Sequence, residues 1–191
     1  MKGLNRAVLI LSKALEILHW GACALMIFLI GMLVFAKDWM VSILESGMSE
    51  LGTEVSTYGL ELTPILPDGG INTTMMMIFA IGALITMALM AFVFRNVYLI
   101  IKTAEGRTKF SEGKTPFQSS IIRMTREIGI FLISIPVVSL IFSVLAQVIG
   151  NSETINATLS LETLIIGLFV LCLSQFFNYG KQLQEDVDGL L

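Results

Sequence analysis

The chain has 191 residues, of which 55% are hydrophobic and only 14% are charged, with a mean hydropathy of +0.83 and a net charge of -3. A water-soluble domain of this size usually carries about 25% charged residues. The composition therefore excludes a soluble globular domain, predicts a single membrane domain over residues 1–191, and gives no reason to expect direct contact with nucleic acid.

The first third of the chain contains one apolar span and one acidic loop. Residues 2–16 carry basic residues and apolar residues at helical spacing, which predicts a helix on or leading into the bilayer. Residues 17–36 have no charge, and 20 helical residues cover about 30 Å, the thickness of the hydrocarbon core. Residues 37–70 carry six acids against Lys37 alone, so this loop is expected outside. Within it we predict β-structure over 53–62 and an amphipathic helix that rests on the outer leaflet, with one face formed by Trp39, Ile43, Leu44, Met48 and Leu51.

A second span and a basic loop follow. Residues 71–94 are 24 uncharged residues, and the apolar pattern continues past Arg95, so this helix is expected to protrude from the membrane. Residues 95–127 carry seven basic residues against three acids, which is typical of a cytoplasmic loop. Thr115 as N-cap and Pro116 at the first helical position predict a helix that begins at Pro116 and leads into span three, 128–149.

The last quarter contains a short outer loop and the fourth span. Alternation over 155–162 predicts a short strand that pairs with the β-rich part of the first outer loop. Span four covers 163–180, and 181–191 form the tail. Placing both termini and the central loop inside puts eleven of the twelve Lys and Arg there. We therefore predict an all-α integral protein of the plasma membrane with both termini cytoplasmic. It would be a four-helix transmembrane bundle with a small, partly β or amphipathic-helical extracytoplasmic loop region.

A polar stripe follows the fourth span, because Gln175, Asn178, Gln182 and Glu185 recur at spacings of three and four. An amide in lipid needs a hydrogen-bonding partner, so the stripe is expected to face the bundle and bond across helices. Helix packing is its ordinary purpose. The functional alternative is a site that lines a cavity open to the cytoplasm.

Charged side chains are also expected to meet at the inner membrane surface. Glu16, Arg95 and Glu127 lie near that level, and a pair of Arg95 with Glu127 is the first expectation because these residues close the same helical hairpin. His19, the only histidine, is favoured as an interfacial residue over a ligand. Neither cysteine has a second Cys or His at ligand spacing. No metal, cofactor or catalytic site is therefore expected.

The central loop and the tail resemble one family. The segment GKTPFQSSIIRMTREIG and the terminal LSQFFNYGKQLQEDVDGLL are similar to the prokaryotic membrane proteins grouped as domain of unknown function 2975. The matching positions are Gly113, Pro116, Phe117, Phe177, Gly180, Leu183, Gln184, Glu185 and Asp186. The resemblance covers residues 71–191 and implies four spans with no assigned chemistry, often encoded beside a small helix-turn-helix regulator. The final DGLL departs from the family, in which a Thr commonly follows the Gly.

The ordered loop helix and the amphipathic tail favour a non-enzymatic regulatory or interaction protein. Its candidate cytoplasmic surface comprises Phe117, Leu183, Gln184 and Asp186, and its partner would be a soluble protein such as a small helix-turn-helix regulator. The alternative is a small transporter or channel subunit, assembled as a homo-oligomer, that uses the polar stripe. An enzyme ranks third, because apart from Glu16 the charged groups lie outside the apolar runs.

Overall fold

The structure, a computed structural model, describes residues 2–51, 54–65, 70–112, 115, 117–150 and 160–189. Within these residues it contains five α-helices and one antiparallel two-stranded sheet. Their bounds are α1 Lys2–Phe35, α2 Lys37–Leu51, β1 Val55–Thr57, β2 Leu60–Leu62, α3 Thr73–Ala104, α4 Ser119–Gly150 and α5 Leu161–Asp188. The four helices α1, α3, α4 and α5 are long and apolar enough to cross a membrane. The predicted all-α, four-helix membrane bundle is thereby confirmed.

Helices α1 and α3 illustrate how far the spanning helices extend beyond their apolar runs. The amphipathic N-terminal segment and span one form the single helix α1. Helix α3 passes Arg95 and ends at Ala104, as its apolar pattern predicted. Gly106 then takes a φ of +72°, its N–H bonds to the Thr103 carbonyl at 3.0 Å, and the Arg107 N–H bonds to the Lys102 carbonyl at 2.9 Å. This left-handed turn satisfies the last carbonyls of α3, which is why a glycine is needed there.

One predicted element boundary is wrong, and one predicted strand lies mostly outside the described residues. Helix α4 begins at Ser119 and not at Pro116, which itself lies outside the described residues. Most of the strand predicted over 155–162 also lies outside them, and its last two residues, Leu161 and Glu162, are the first of α5.

The chain divides into two compact units. The loop unit comprises Met1–His19, Leu89–Ser134 and Glu162–Leu191, and therefore holds both terminal segments together with the central loop. The hairpin unit comprises Trp20–Ala88 and Ile135–Leu161. The single membrane domain proposed from the sequence stays a prediction.

The hairpin unit is named for its sheet. Strands β1 and β2 pair from Val55 with Leu62 to Thr57 with Leu60, joined by the two-residue turn Tyr58–Gly59. Both turn residues have positive φ, 46° and 83°, which matches the twist of a tight hairpin. Leu60 and Leu62 are buried whereas Glu61 between them is exposed, as the pleat of a strand requires.

This hairpin inserts between transmembrane helices. A Cβ built on Gly82 of α3 would lie 2.7 Å from a Leu60 methyl carbon, so the missing side chain leaves room for the leucine. The Ser139 hydroxyl of α4 donates a 3.0 Å hydrogen bond to the Tyr58 carbonyl. Gly82 and Ser139 are each the twelfth residue of their uncharged runs, 71–94 and 128–149. Leu60 and Leu62 of the hairpin are covered by protein at this point, whereas Tyr58 and Glu61 are exposed.

The predicted amphipathic helix after Trp39 is α2. Its buried Met40 packs in a cluster with Leu33, Ile71 and Met76, and partly buried Leu44 lies against the same cluster. Trp39 points away from these residues and is 58% exposed. This leaves an aromatic side chain available at the level where interfacial aromatics lie.

Candidate functional site

The central loop of the loop unit docks on α5. The Phe117 ring meets the Phe177 ring edge to face, with centroids 6.2 Å apart and planes at 71°. A Cβ built on Gly180 would lie 2.5 Å from a Phe117 ring carbon, so the ring packs directly on the bare helix backbone. Phe117 is therefore a packing residue in this structure, which corrects its predicted place on a free interaction surface. The reason is the missing side chain at Gly180.

Polar contacts reinforce this docking. The Lys181 ammonium donates a 2.7 Å hydrogen bond to the Ser119 hydroxyl at the start of α4. The same ammonium lies 3.4 Å from the Glu185 carboxylate, one turn further along α5. Lys181 therefore ties the end of α5 to the loop, although exposed ion pairs of this kind add little stability by themselves.

The loop before α4 is held by Gln118 and Glu112. The buried Gln118 side chain accepts a hydrogen bond from the Glu112 N–H at 3.0 Å and donates one to the Thr115 carbonyl at 2.7 Å. In return the Glu112 carboxylate accepts the Ser119 N–H at 3.2 Å. A carboxylate at a helix N-terminus satisfies a free donor and complements the helix dipole. Because Gln118 serves the loop in this way, α4 begins only after it, and Thr115 is not the cap that the sequence predicted.

The predicted charge network of Glu16, Arg95 and Glu127 does not form. Glu127 of α4 accepts a 3.0 Å hydrogen bond from the Asn96 amide and pairs with Arg123 at 3.5 Å. Arg95 is exposed and makes no ion pair among the described residues. Neighbouring helical residues point about 100° apart, so when Asn96 faces α4 its neighbour Arg95 cannot face it in the same way.

Arg95 and Glu127 nevertheless line one open groove of about 380 Å³. Asn96 and Arg123 share it, and its apolar wall consists of Phe92, Leu99, Phe110, Met124 and Phe131. A second open groove of about 390 Å³, lined in part by Lys109, Glu112 and Ser120, lies along the central loop. Neither groove is lined by the polar stripe of α5.

Glu16 is also placed away from Arg95. Its carboxylate is buried and lies 3.0 Å from the Lys13 ammonium on the same helix. The neighbouring His19 is buried as well, and its Nδ1 lies 2.7 Å from the Leu15 carbonyl oxygen. A carbonyl can only accept, so this contact assigns the proton to Nδ1. The His19 ring also lies 5.2 Å from the Phe94 ring. These contacts are those of residues that pack α1, and in the described parts of the chain no three His, Cys, Asp or Glu side chains cluster as a metal site.

The polar stripe of α5 turns away from the rest of the chain. Gln175, Gln182 and Glu185 are exposed and Asn178 is half-buried, so the expectation that the stripe faces the bundle is wrong. The face that turns inward instead carries Gly167 and Ser174, which are buried. A Cβ built on Gly129 of α4 would lie 3.0 Å from the Gly167 carbonyl oxygen. Small residues thus bring α4 and α5 together and decide which face is covered.

The remaining predicted surface residues lie at the end of α5. Leu183 and Asp186 are exposed, whereas Gln184 is half-buried. Val187, which the sequence reading did not single out, is exposed one turn after Leu183. The structural roles of Asn96 and Gln118 were also missed. A signal existed for Gly167 and Ser174, because two small residues seven apart mark one helix face.

No family model, no curated protein and no solved structure matches this chain.

Proposed function

We propose that this protein is a non-enzymatic interaction protein of the plasma membrane, with both termini cytoplasmic, whose α5 end binds a basic amphipathic segment of a soluble protein. The observation that carries the proposal is the exposure of Leu183 and Val187, which are 66% and 58% exposed. Both residues follow Lys181, the first charge after the apolar run of α5. Apolar side chains that project into water at this position favour a protein contact.

The chemistry around these two residues defines the partner. Leu183 and Val187 are one helical turn apart and form a short apolar strip. Glu185 and Asp186 lie beside them and are exposed. A helix with one apolar face and flanking Lys or Arg would cover the strip and pair with the acids.

The docking of the loop on α5 makes the surface suitable for binding. Phe117 packs on Gly180, and Lys181 bonds to Ser119, so the helix end that carries Leu183 is anchored at its base. A surface that is ordered before binding loses less conformational entropy when a partner docks. This arrangement supports a constitutive docking face.

The resemblance to domain of unknown function 2975 supports a partner class. A small helix-turn-helix regulator, the kind of protein often encoded beside members of that family, has a basic DNA-binding face. In this proposal the acidic end of α5 competes with DNA for such a face and holds the regulator at the membrane. The polar stripe lines neither of the two grooves described above, so these grooves give no support to the transporter alternative.

The test places a photo-crosslinking amino acid at position 183 in cells, with position 165 as the matched control. Ile165 is exposed on the same helix but lies inside the apolar run. We expect position 183 to form an adduct with a soluble protein through a basic helix, and position 165 to form none. Adducts from position 183 only to lipid or to this chain itself would refute the proposal.

A second arm tests the charges. Glu185→Gln with Asp186→Asn should lower the yield of that adduct several-fold, because the acids pair with the basic segment. Glu162→Gln, an exposed acid at the other end of α5, should leave the yield unchanged. Equal yields in all three proteins would count against charge recognition.

A further inference from the structure

An unpartnered amide lies within the apolar run of α5. Gln175 is exposed and stands six residues before Lys181, about 9 Å along the helix axis. Among the described residues its side chain has no hydrogen-bond partner. In hydrocarbon an amide without a partner is strongly unfavourable, and polar side chains at such positions bond across helices. The isolated chain therefore leaves a contact unmade.

Gln175 is the centre of a helix-packing seam. The seam is defined by side chains at alternating spacings of four and three, all of them exposed: Leu168, Cys172, Gln175, Tyr179 and Gln182. This spacing keeps one face of a helix toward a neighbouring helix over several turns. Only 11% of the residues in the apolar window of α5 are buried within the chain, so the seam is open.

We infer that the seam binds the same seam of a second copy of this chain, in a parallel pair of α5 helices with Gln175 opposite Gln175. A glutamine side chain both donates and accepts hydrogen bonds, so two of them satisfy each other. A two-fold contact places each residue opposite its own counterpart. A second copy therefore presents its amide at the matching depth automatically, whereas another protein would need a polar group at that same level.

The dimer seam and the proposed docking strip lie on neighbouring faces of α5. Leu183 lies about 80° around the helix from Gln175 but only about 40° from Tyr179, whereas Val187 lies about 120° and 80° from these two residues. Pairing along the seam therefore leaves Val187 accessible and brings Leu183 to the edge of the contact. The readouts tell the two proposals apart, because one predicts an adduct with a soluble protein and the other a Cys172 link between two copies. One dimer would present two docking strips on the same side of the membrane.

The native cysteines report on this contact. Cys172 is exposed on the seam and Cys23 is buried elsewhere. In native membranes a short bis-maleimide should link two chains through their Cys172 thiols. The dimer band should persist in Cys23→Ala and disappear in Cys172→Ala. A protein that gives no dimer band, or that links Cys172 to a different protein, would overturn the inference.

The role of the amide is tested by dilution in liposomes. Gln175→Leu should raise the protein-to-lipid ratio needed for half-maximal crosslinking about tenfold, because an interhelical amide bond is lost. Asn178→Leu, an amide one turn away and half-buried, should leave that ratio unchanged. Gln175→Leu adds an apolar side chain to a lipid-exposed face, so the monomer should still fold, as circular dichroism would show. Crosslinking equal to that of the natural protein at every dilution would contradict the assignment.

Discussion

The Asn96 amide of α3 donates a 3.0 Å hydrogen bond to the Glu127 carboxylate of α4. Asn96 is buried, and Glu127 also pairs with the exposed Arg123. A neutral amide is thus the buried partner of this carboxylate, while the arginine reaches it from the surface. The two contacts differ in exposure, and hence in what each contributes to stability.

Replacing Asn96 should therefore cost more than replacing Arg123. Asn96→Ala removes a buried donor from a carboxylate and should lower the free energy of unfolding by about 1–2 kcal/mol. Arg123→Gln breaks an exposed pair between residues four apart and should cost about 0.5 kcal/mol or less. Equilibrium unfolding in mixed detergent micelles measures both. The reverse order would show that the exposed pair dominates.

Gly180→Ala should loosen the central loop from α5. The new Cβ would collide with the Phe117 ring, and overpacking of this kind costs about 1–3 kcal/mol. Thermal unfolding and tryptic cleavage within 107–109 would report the change. Gly21→Ala is the matched control, because a Cβ there meets nothing within 4 Å.

A double variant separates collision from general damage. If the ring is the obstacle, adding Phe117→Ala to Gly180→Ala should cost less than the sum of the two single changes. Strictly additive losses of stability would show that Gly180→Ala does not act through a collision with the Phe117 ring.

Ser139→Ala should weaken the contact between the β1–β2 hairpin and α4. It removes the hydroxyl that donates to the Tyr58 carbonyl and should lower the free energy of unfolding by about 1 kcal/mol. Ser134→Ala on the same helix removes only a bond to the Ile130 carbonyl and should be nearly neutral. Hydrogen exchange at 55–62 provides the measurement. Equal protection in both variants would exclude Ser139 as an anchor.

Tyr58 should give the hairpin a dependence on alkaline pH. The Tyr58 side chain is 38% exposed, and its partial burial raises the pKa of the phenol above its ordinary value of 10.0. The folded protein holds this proton more tightly than the unfolded chain, so stability is unaffected below pH 10 and falls as pH rises through the raised pKa. The phenolate absorbance lost in Tyr58→Phe should titrate above pH 10. A component that titrates at or below that value would contradict the burial argument.

Several elements could be predicted from the sequence because their causes are local. The four apolar runs, the protrusion of α3 past Arg95 and the β-content over 53–62 all follow from composition, periodicity and turn residues.

The errors concern which face of a helix is covered. Polar periodicity on α5 pointed to Gln175, yet the close approach of Gly129 and Gly167 turned another face inward. The sequence predicts Arg95 as the partner of Glu127 because opposite charges attract. The rotation of α3, which depends on packing, instead turns Asn96 toward Glu127. The insertion of the hairpin depends on Gly82 and Ser139, which lie far from it in the chain, and no local pattern announces such a contact.

The contact between the β1–β2 hairpin and α4 also affects how the protein folds during synthesis. The hairpin turn rests on Ser139, which the ribosome adds about 80 residues after Tyr58, or roughly 4–16 s later at usual rates of synthesis. During that interval Leu60 and Leu62 lack Phe142 and Ala146, the two α4 residues of their apolar cluster. The hairpin therefore stays without its α4 contacts until the third span has been synthesised, and a pause in translation between these points would prolong its exposure to chaperones and proteases.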